Sequence, residues 1–177
     1  MERFVGLFRG INVGGNHKVD MKTLKSVMEN DDYIDVKTYI NSGNVIFRSN
    51  ILKTDVHQKR LEELLRKHFD VESKVLVLTK NHFNEIACMI PKHFENDDSF
   101  KADVLFYFDE ITSLDIDSIP INKGFVETVY LNKALICGVN RTDQGKSGLD
   151  KIVGKKVYQL LTIRNVNTVR KIQALLE

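Results

Sequence analysis

VKTYINSGNVIFRS, residues 36–49, contains two apolar-alternating runs joined by Ser42-Gly43, and reads as a β-hairpin. The elements on either side are placed by their periodicities. Upstream, residues 3–9 alternate as a strand, and Met21, Leu24, Val27 and Met28 recur at helical spacing after Asp20, a residue suited to cap that helix. Downstream, Leu61, Leu64, Leu65 and His68 give a second helix, with His68 expected on its buried side, and KVLVLTK at 74–80 gives a further strand. The order is βαββαβ, the split βαβ or ferredoxin-like unit, in which the first and third strands are neighbours in an antiparallel sheet.

Val75 to Leu78 is apolar on both faces, as are Val5 and Leu7 one way and Phe4 and Phe8 the other. Such strands require cover on both sides, and the second half of the chain is the expected cover. That half reads as a helix from about Asn81 to Pro91, a strand at 103–108 and a short irregular piece at 111–119. A hairpin at 125–139 turning at Asn132-Lys133, a helix beginning near Ser147 and a closing helix carrying Val166, Val169, Ile172 and Leu176 complete it. With no flexible linker between the halves, the expectation is an α+β protein of two packed subdomains, residues 1–80 and 81–177.

The chain has 177 residues, 42% hydrophobic and 28% charged, with a net charge of +2, too weak a field to announce a nucleic-acid partner. Charge is instead segregated. Residues 141–171 carry eight Lys/Arg against Asp143 and Asp150, residues 95–117 carry eight Asp/Glu against Lys101, and the two are expected to neutralise each other. The N-terminus does not read as a signal peptide and no long apolar run occurs, so a cytoplasmic protein without a membrane partner is expected. Cys88 and Cys137 form no CxxC pair and are expected as reduced core thiols.

The densest functional signal is FRGINVGGNHKVD, residues 8–20. Gly10, Gly14 and Gly15 can adopt positive φ, letting backbone N–H groups converge on an anion, with Arg9 and Lys18 adding charge and the following helix its dipole. Neither GxxxxGK[ST] nor GxGxxG is present, so standard nucleotide cradles are not indicated. Two more polar clusters accompany the loop. One is Ser42, Gly43 and Asn44 beside Asn41, for which turn chemistry is the competing explanation. The other is Arg164, Asn165 and Asn167, where an asparagine can simply cap the last helix.

The blocks FRGINVGG, YINSGNVIF and LTIRNVNTVRKI together resemble the signature blocks of the bacterial domain of unknown function 1697 family. The resemblance implies two ferredoxin-like subdomains but brings no established activity, substrate or cofactor. The residues it carries over are Arg9, Gly10, Asn12, Gly14, Gly15, Lys18, Ser42, Gly43, Asn44, Arg164, Asn165 and Asn167. The chain departs from the family pattern at Asn16-His17, Asp20 and Val166, where members often carry Lys-Asn, proline and tryptophan.

The residues support three readings. The leading one is binding of an anionic ligand, such as a nucleotide, a nucleic-acid phosphate or a phosphorylated metabolite, through the glycine loop, the hairpin turn at Ser42, Gly43 and Asn44, and the N-terminus of the last helix at Arg164, Asn165 and Asn167. The second is an enzyme acting on a small phosphorylated or carboxylated metabolite, with Arg9, Lys18 and Arg164 stabilising the anion and His17 as acid or base. The third is a structural or protein-interaction module. RNA stacking by Phe4, Phe8 and Phe47 lacks the accompanying RNP pattern, and packing of one subdomain on the other is the simpler expectation for these rings. No HxxxH pair or GxSxG motif occurs, Asp31-Asp32 and Asp97-Asp98 read as solvated loops, and neither metal nor organic cofactor is indicated.

Overall fold

The computed structural model describes residues 1–15 and 17–177; Asn16 lies outside them. The chain divides into two compact units, Met1–Asn84 with Ile172–Glu177, and Glu85–Lys171. Each holds a four-stranded antiparallel sheet, and the fold is α+β.

Unit 1 runs β1 (Glu2–Phe8), α1 (Met21–Asn30), β2 (Ile34–Tyr39), β3 (Asn44–Ser49), α2 (Thr54–Phe69) and β4 (Val75–Thr79). Its strand order is β2-β3-β1-β4, as the hairpin predicts. Phe4 pairs with Phe47 on one side and Thr79 on the other, so Phe4, Phe8, Val45, Phe47, Val75 and Val77 share one sheet face. Those side chains are buried with Leu24 and Met28 of α1 and Leu61 and Leu65 of α2 in one core. Each fully buried Phe or Leu there contributes on the order of 2 kcal/mol. These phenylalanines are therefore roofed by their own unit's helices, and no stacking platform is open on that face. Val5, Leu7, Ile46, Leu76 and Leu78 on the opposite face are buried too.

Asp20 caps α1 as expected, its carboxylate accepting from the Thr23 N–H at 2.8 Å and the Thr23 hydroxyl at 2.7 Å. In α2 the buried side differs from the expected one. His68 is exposed in the last turn, beside Arg66 and Lys67, where cations complement the helix dipole. The histidine on the buried stripe is His57, one turn before Leu61 and fully buried. Phe69, packed against the core, occupies the apolar end of the helix in place of His68.

After β4 in the chain, α3 spans Lys80–Cys88. Cys137 is buried as expected, whereas Cys88 is exposed, because the buried stripe of α3 is set by Phe83, Ile86 and Ala87.

Unit 2 contains β5 (Phe100–Tyr107), α4 (Ser113–Asp117), β6 (Glu127–Tyr130), β7 (Ala134–Asn140) and β8 (Leu161–Asn165); α5 (Val166–Leu175) begins there. The order β6-β7-β5-β8 repeats that of unit 1, but the two crossovers differ in construction. The first contains only the five-residue α4. The second is a chain of 3-10 turns at 141–146, 149–152 and 156–160, not the α-helix expected from Ser147. Glycine is the physical reason. Gly148 has φ +80° and Gly154 φ +91°, left-handed conformations that interrupt a right-handed helix, and a Cβ at Gly148 would lie 2.2 Å from the Pro120 carbonyl oxygen. Strand β8, absent from the sequence reading, leads into α5 without a loop.

One ion pair joins the basic and acidic segments within this unit, and one arginine of the basic segment reaches a backbone carbonyl of the acidic one. Arg170 lies 3.4 Å from Glu95, and Arg141 donates to the Asp97 carbonyl at 2.9 Å.

Candidate functional site

The glycine loop leaves β1 beside the hairpin turn. The Phe8 N–H donates to the Gly43 carbonyl at 2.8 Å and the Arg9 N–H to the Lys74 carbonyl at 3.0 Å, fixing the loop's first stem to β4 and to the turn. Asn12 then closes the loop on itself. Its amide nitrogen donates to Val19 O and Asn41 O, each at 2.8 Å, its amide oxygen accepts from the Val19 N–H at 2.8 Å, and its backbone N–H reaches His17 O at 3.1 Å. Both amide hydrogens of Asn12 are thereby engaged. One side chain thus ties together the loop's beginning, its end and the hairpin turn.

Gly10, Asn12, Gly14, Gly15 and His17 all have positive φ, between +50° and +79°. Gly14 and Gly15 are consecutive left-handed residues, a conformation that glycine adopts without the steric cost a side chain would bring. Gly10, Gly14 and Gly15 are exposed, and a Cβ on any of them would meet nothing within 4 Å. Their glycines meet a backbone requirement rather than a packing one. Lys18 and His17 are exposed beside them and Arg9 is half-buried at the stem.

Gly43 is of a different kind. With φ +76°, it brings the turn so close to β1 that a Cβ would lie 2.7 Å from Phe8 Cβ and 2.8 Å from Ile11 Cδ1. Asn44 is buried and closes the turn through its amide, which donates to Tyr39 O at 3.0 Å and Ser42 Oγ at 3.2 Å. Ser42 is half-buried.

The N-terminus of α1 is already occupied by a negative charge. The Thr23 hydroxyl and N–H hold the Asp20 carboxyl below the usual carboxylate range, so the positive end of this helix already faces its own carboxylate.

The third cluster is built within unit 2. Arg164 stands on the β8 face that carries Thr162 and is buried; it donates to Thr162 Oγ1 at 3.0 Å and Ile163 O at 2.8 Å. Burial lowers its pKa to about 10, which leaves it protonated at neutral pH. Asn165 caps α5 by accepting from the Thr168 N–H at 2.9 Å, and Asn167 donates to Asn96 O at 3.1 Å. Val166, at the family's tryptophan position, is fully buried.

A polar cluster that the spacing argument passed over surrounds His57. Its Nε2 lies 2.9 Å from Ile51 O, and since a carbonyl only accepts, Nε2 carries the proton. Nδ1 then accepts from the Tyr33 hydroxyl at 3.2 Å. Desolvation lowers the His57 pKa, and Arg60, stacked 5.2 Å from the Tyr33 ring centre and paired with Asp31 at 2.7 Å, lowers it further. The imidazole is a satisfied neutral core group. The signal for it was its place four residues before Leu61.

Among the described residues, no group of three or more His, Cys, Asp or Glu is arranged to hold a metal ion. Asp97 accepts from the N–H groups of Ser99 and Phe100, each at 2.8 Å, and Asp31 is held by Arg60. No helix among them is long and apolar enough to cross a membrane.

The loop, the hairpin turn and the β8–α5 junction are the blocks that suggested a family, and comparison with family profiles matches residues 1–136 to the protein of unknown function DUF1697. The chain belongs to this DUF1697 family. The matched span contains all of unit 1's glycine loop and hairpin, and ends within β7. No curated protein matches the chain. Among solved structures, the conserved bacterial protein SP0830 from Streptococcus pneumoniae is similar, with a TM-score of 0.83, 26% identity, and 99% of each chain covered. The similarity thus extends over both units of this DUF1697 member.

Proposed function

We propose that this DUF1697 protein binds a small anionic group, such as the phosphate of a nucleotide, nucleic acid or phosphorylated metabolite, at the loop of residues 9–18 and the adjoining turn at 41–44. The observation that carries the reading is the run of exposed, left-handed glycines with open space beside each, clamped by Asn12 and flanked by Lys18. A loop serving only to reverse the chain needs one or two such residues; five within eight positions, pinned at both ends, favour a preorganised backbone surface. In this reading Arg9 and Lys18 supply charge, Gly10, Gly14 and Gly15 supply N–H donors, and Asn12, Gly43 and Asn44 hold the shape. Ser42 offers a hydroxyl at the edge. Arg164, Asn165 and Asn167 contribute to the framework of unit 2.

The test is a thermal-shift and displacement screen with inorganic phosphate, nucleotides, sugar phosphates and oligonucleotides. Hits should vanish in folded Lys18→Ala and Arg9→Ala chains and survive in Asn167→Ala. Oligonucleotide binding that weakens steeply with salt would identify nucleic acid as the anion's source. Phosphate-class ligands that bind both loop variants unchanged would overturn the assignment.

A further inference from the structure

The crossover from β7 to β8 is made of 3-10 turns where the matching crossover of unit 1 holds a 16-residue α-helix. A cavity of about 240 Å³ lies within unit 2 between the sheet and the 3-10 turns, with Leu105, Cys137, Val139 and Ile163 on the sheet side and Leu149 and Ile152 among the residues opposite. Register explains the sheet side: Asp103 pairs with Cys137, Lys101 with Val139 and Leu105 with Ile163, so these side chains project from one face.

Asp103 is the chemically unusual member. Its side chain is only 20% exposed among Leu105, Cys137 and Val139, and its ion pair with Lys101 spans 3.8 Å, longer than the 2.7–2.9 Å of a charge-assisted hydrogen bond. Burial raises the Asp103 pKa, while Lys101 and, more weakly, Arg141 oppose that shift. The Arg141 guanidinium is itself committed to Asp97 O, Gln144 and Asn96. Asp150 adds a second carboxylate, so two carboxylates and one ammonium line the cavity. The Cys137 thiol, pushed up to about 12 chiefly by burial, stays neutral and adds no charge.

Size and charge select the occupant. A dry cavity of about 150 Å³ holds benzene, and sites for drug-sized molecules begin near about 300 Å³. This space therefore suits one ring or branched chain with a short polar arm. A carboxylate arm would face Asp103 and Asp150, whereas an ammonium completes the coordination that Lys101 leaves long. We propose that the unit 2 cavity binds a small aryl- or branched-alkyl amine, its apolar body against Leu105, Val139 and Ile163 and its ammonium on Asp103.

The test uses the full ¹⁵N-labelled chain titrated with 2-phenylethylamine, 2-phenylethanol and 3-phenylpropanoate, which share a ring and differ in the charge of the arm. The amine should shift resonances of residues 103, 137 and 149–153 and bind at least about tenfold more tightly than the other two, the scale of a hydrogen bond to a charged group. Asp103→Asn should remove that preference. Val153→Trp, at a cavity-lining position that is 67% exposed and so tolerant of substitution, should block entry. Equal binding of amine and alcohol, preference for the carboxylate, or no shifts at these residues overturns the proposal. Should Asp103→Asn fail to fold, the amine-to-alcohol ratio in the unsubstituted chain and the Val153→Trp chain decide it alone.

Discussion

Replacing Gly43 with alanine tests the structural logic of the loop at its tightest point. Two penalties add there. Holding an L-residue at φ +76° costs about 1–2 kcal/mol. The new methyl would lie 2.7 Å from Phe8 Cβ, an atom attached directly to the β1 backbone, and 2.8 Å from Ile11 Cδ1. The isoleucine tip can rotate away, but Phe8 Cβ moves only if the strand moves, and the Phe8 N–H to Gly43 O bond at 2.8 Å resists that. Overpacking of this kind costs about 1–3 kcal/mol, giving a total of about 2–5 kcal/mol. For a chain of this length each kcal/mol lowers Tm by roughly 2–4 °C, so Gly43→Ala should melt about 4–20 °C earlier. Gly14→Ala is the internal control, because its φ of +61° carries the conformational penalty while a Cβ there meets nothing within 4 Å. Its loss should stay within about 1–2 kcal/mol. Paired thermal and urea melts read the difference directly. Equal losses in the two variants, or a Gly43→Ala chain as stable as the parent, would refute the close-approach argument.

Three further outcomes follow from buried polar groups and a helix cap. His57 has a lowered pKa, so the unfolded chain takes up its proton first; the His57 contribution to stability is complete above the ordinary value of 6.5 and is lost as pH falls below it. Between about pH 7.5 and about pH 5.5, urea midpoints should fall more steeply in the parent than in His57→Gln, which is less stable at both values. Tyr107 has a buried hydroxyl with no hydrogen-bond partner among the described residues, so Tyr107→Phe should leave stability unchanged or raise it by about 1 kcal/mol, read as a higher Tm. Asp20→Ala removes the cap of α1 and should lower the Tm in the same melts, with Asp20→Asn, which keeps an accepting oxygen, falling less.

The first unit was legible because its periodicities are clean and its turns are marked. Residues 36–49 read as a hairpin because apolar residues alternate around Ser42-Gly43, and the pairing of Tyr39 with Asn44 bears that out. His68 misled because spacing alone cannot tell a helix's last exposed turn from its buried middle; Phe69 and the basic run beside it carried the missing information. The role of Asn12 was hidden for another reason. Its partners, Val19 O and Asn41 O, are backbone atoms seven and twenty-nine residues away, and backbone acceptors leave no mark on residue identity.

Unit 2 was harder to read because its architecture repeats while its means do not. The strand order matches that of unit 1, but 3-10 turns stand in the second crossover where unit 1 has the 16-residue α2. A long α-helix lays a continuous apolar stripe on a sheet, as His57, Leu61, Leu64 and Leu65 do. Short turns broken by Gly148 and Gly154 present isolated apolar residues, Leu149, Ile152 and Val157, at changing angles. They cannot fill the sheet face continuously, and the cavity lies beside them, with a carboxylate on its sheet side. The same left-handed glycines that defeat a helical reading from Ser147 thus stand in the crossover that borders the cavity lined by Asp103. Filling that space from the protein side separates folding from binding. An Ile163→Phe chain whose ring enters the cavity should keep its stability to within about 1–3 kcal/mol, the range for an added buried group, and lose amine binding. Retained amine binding would mean that the amine occupies some other part of the molecule.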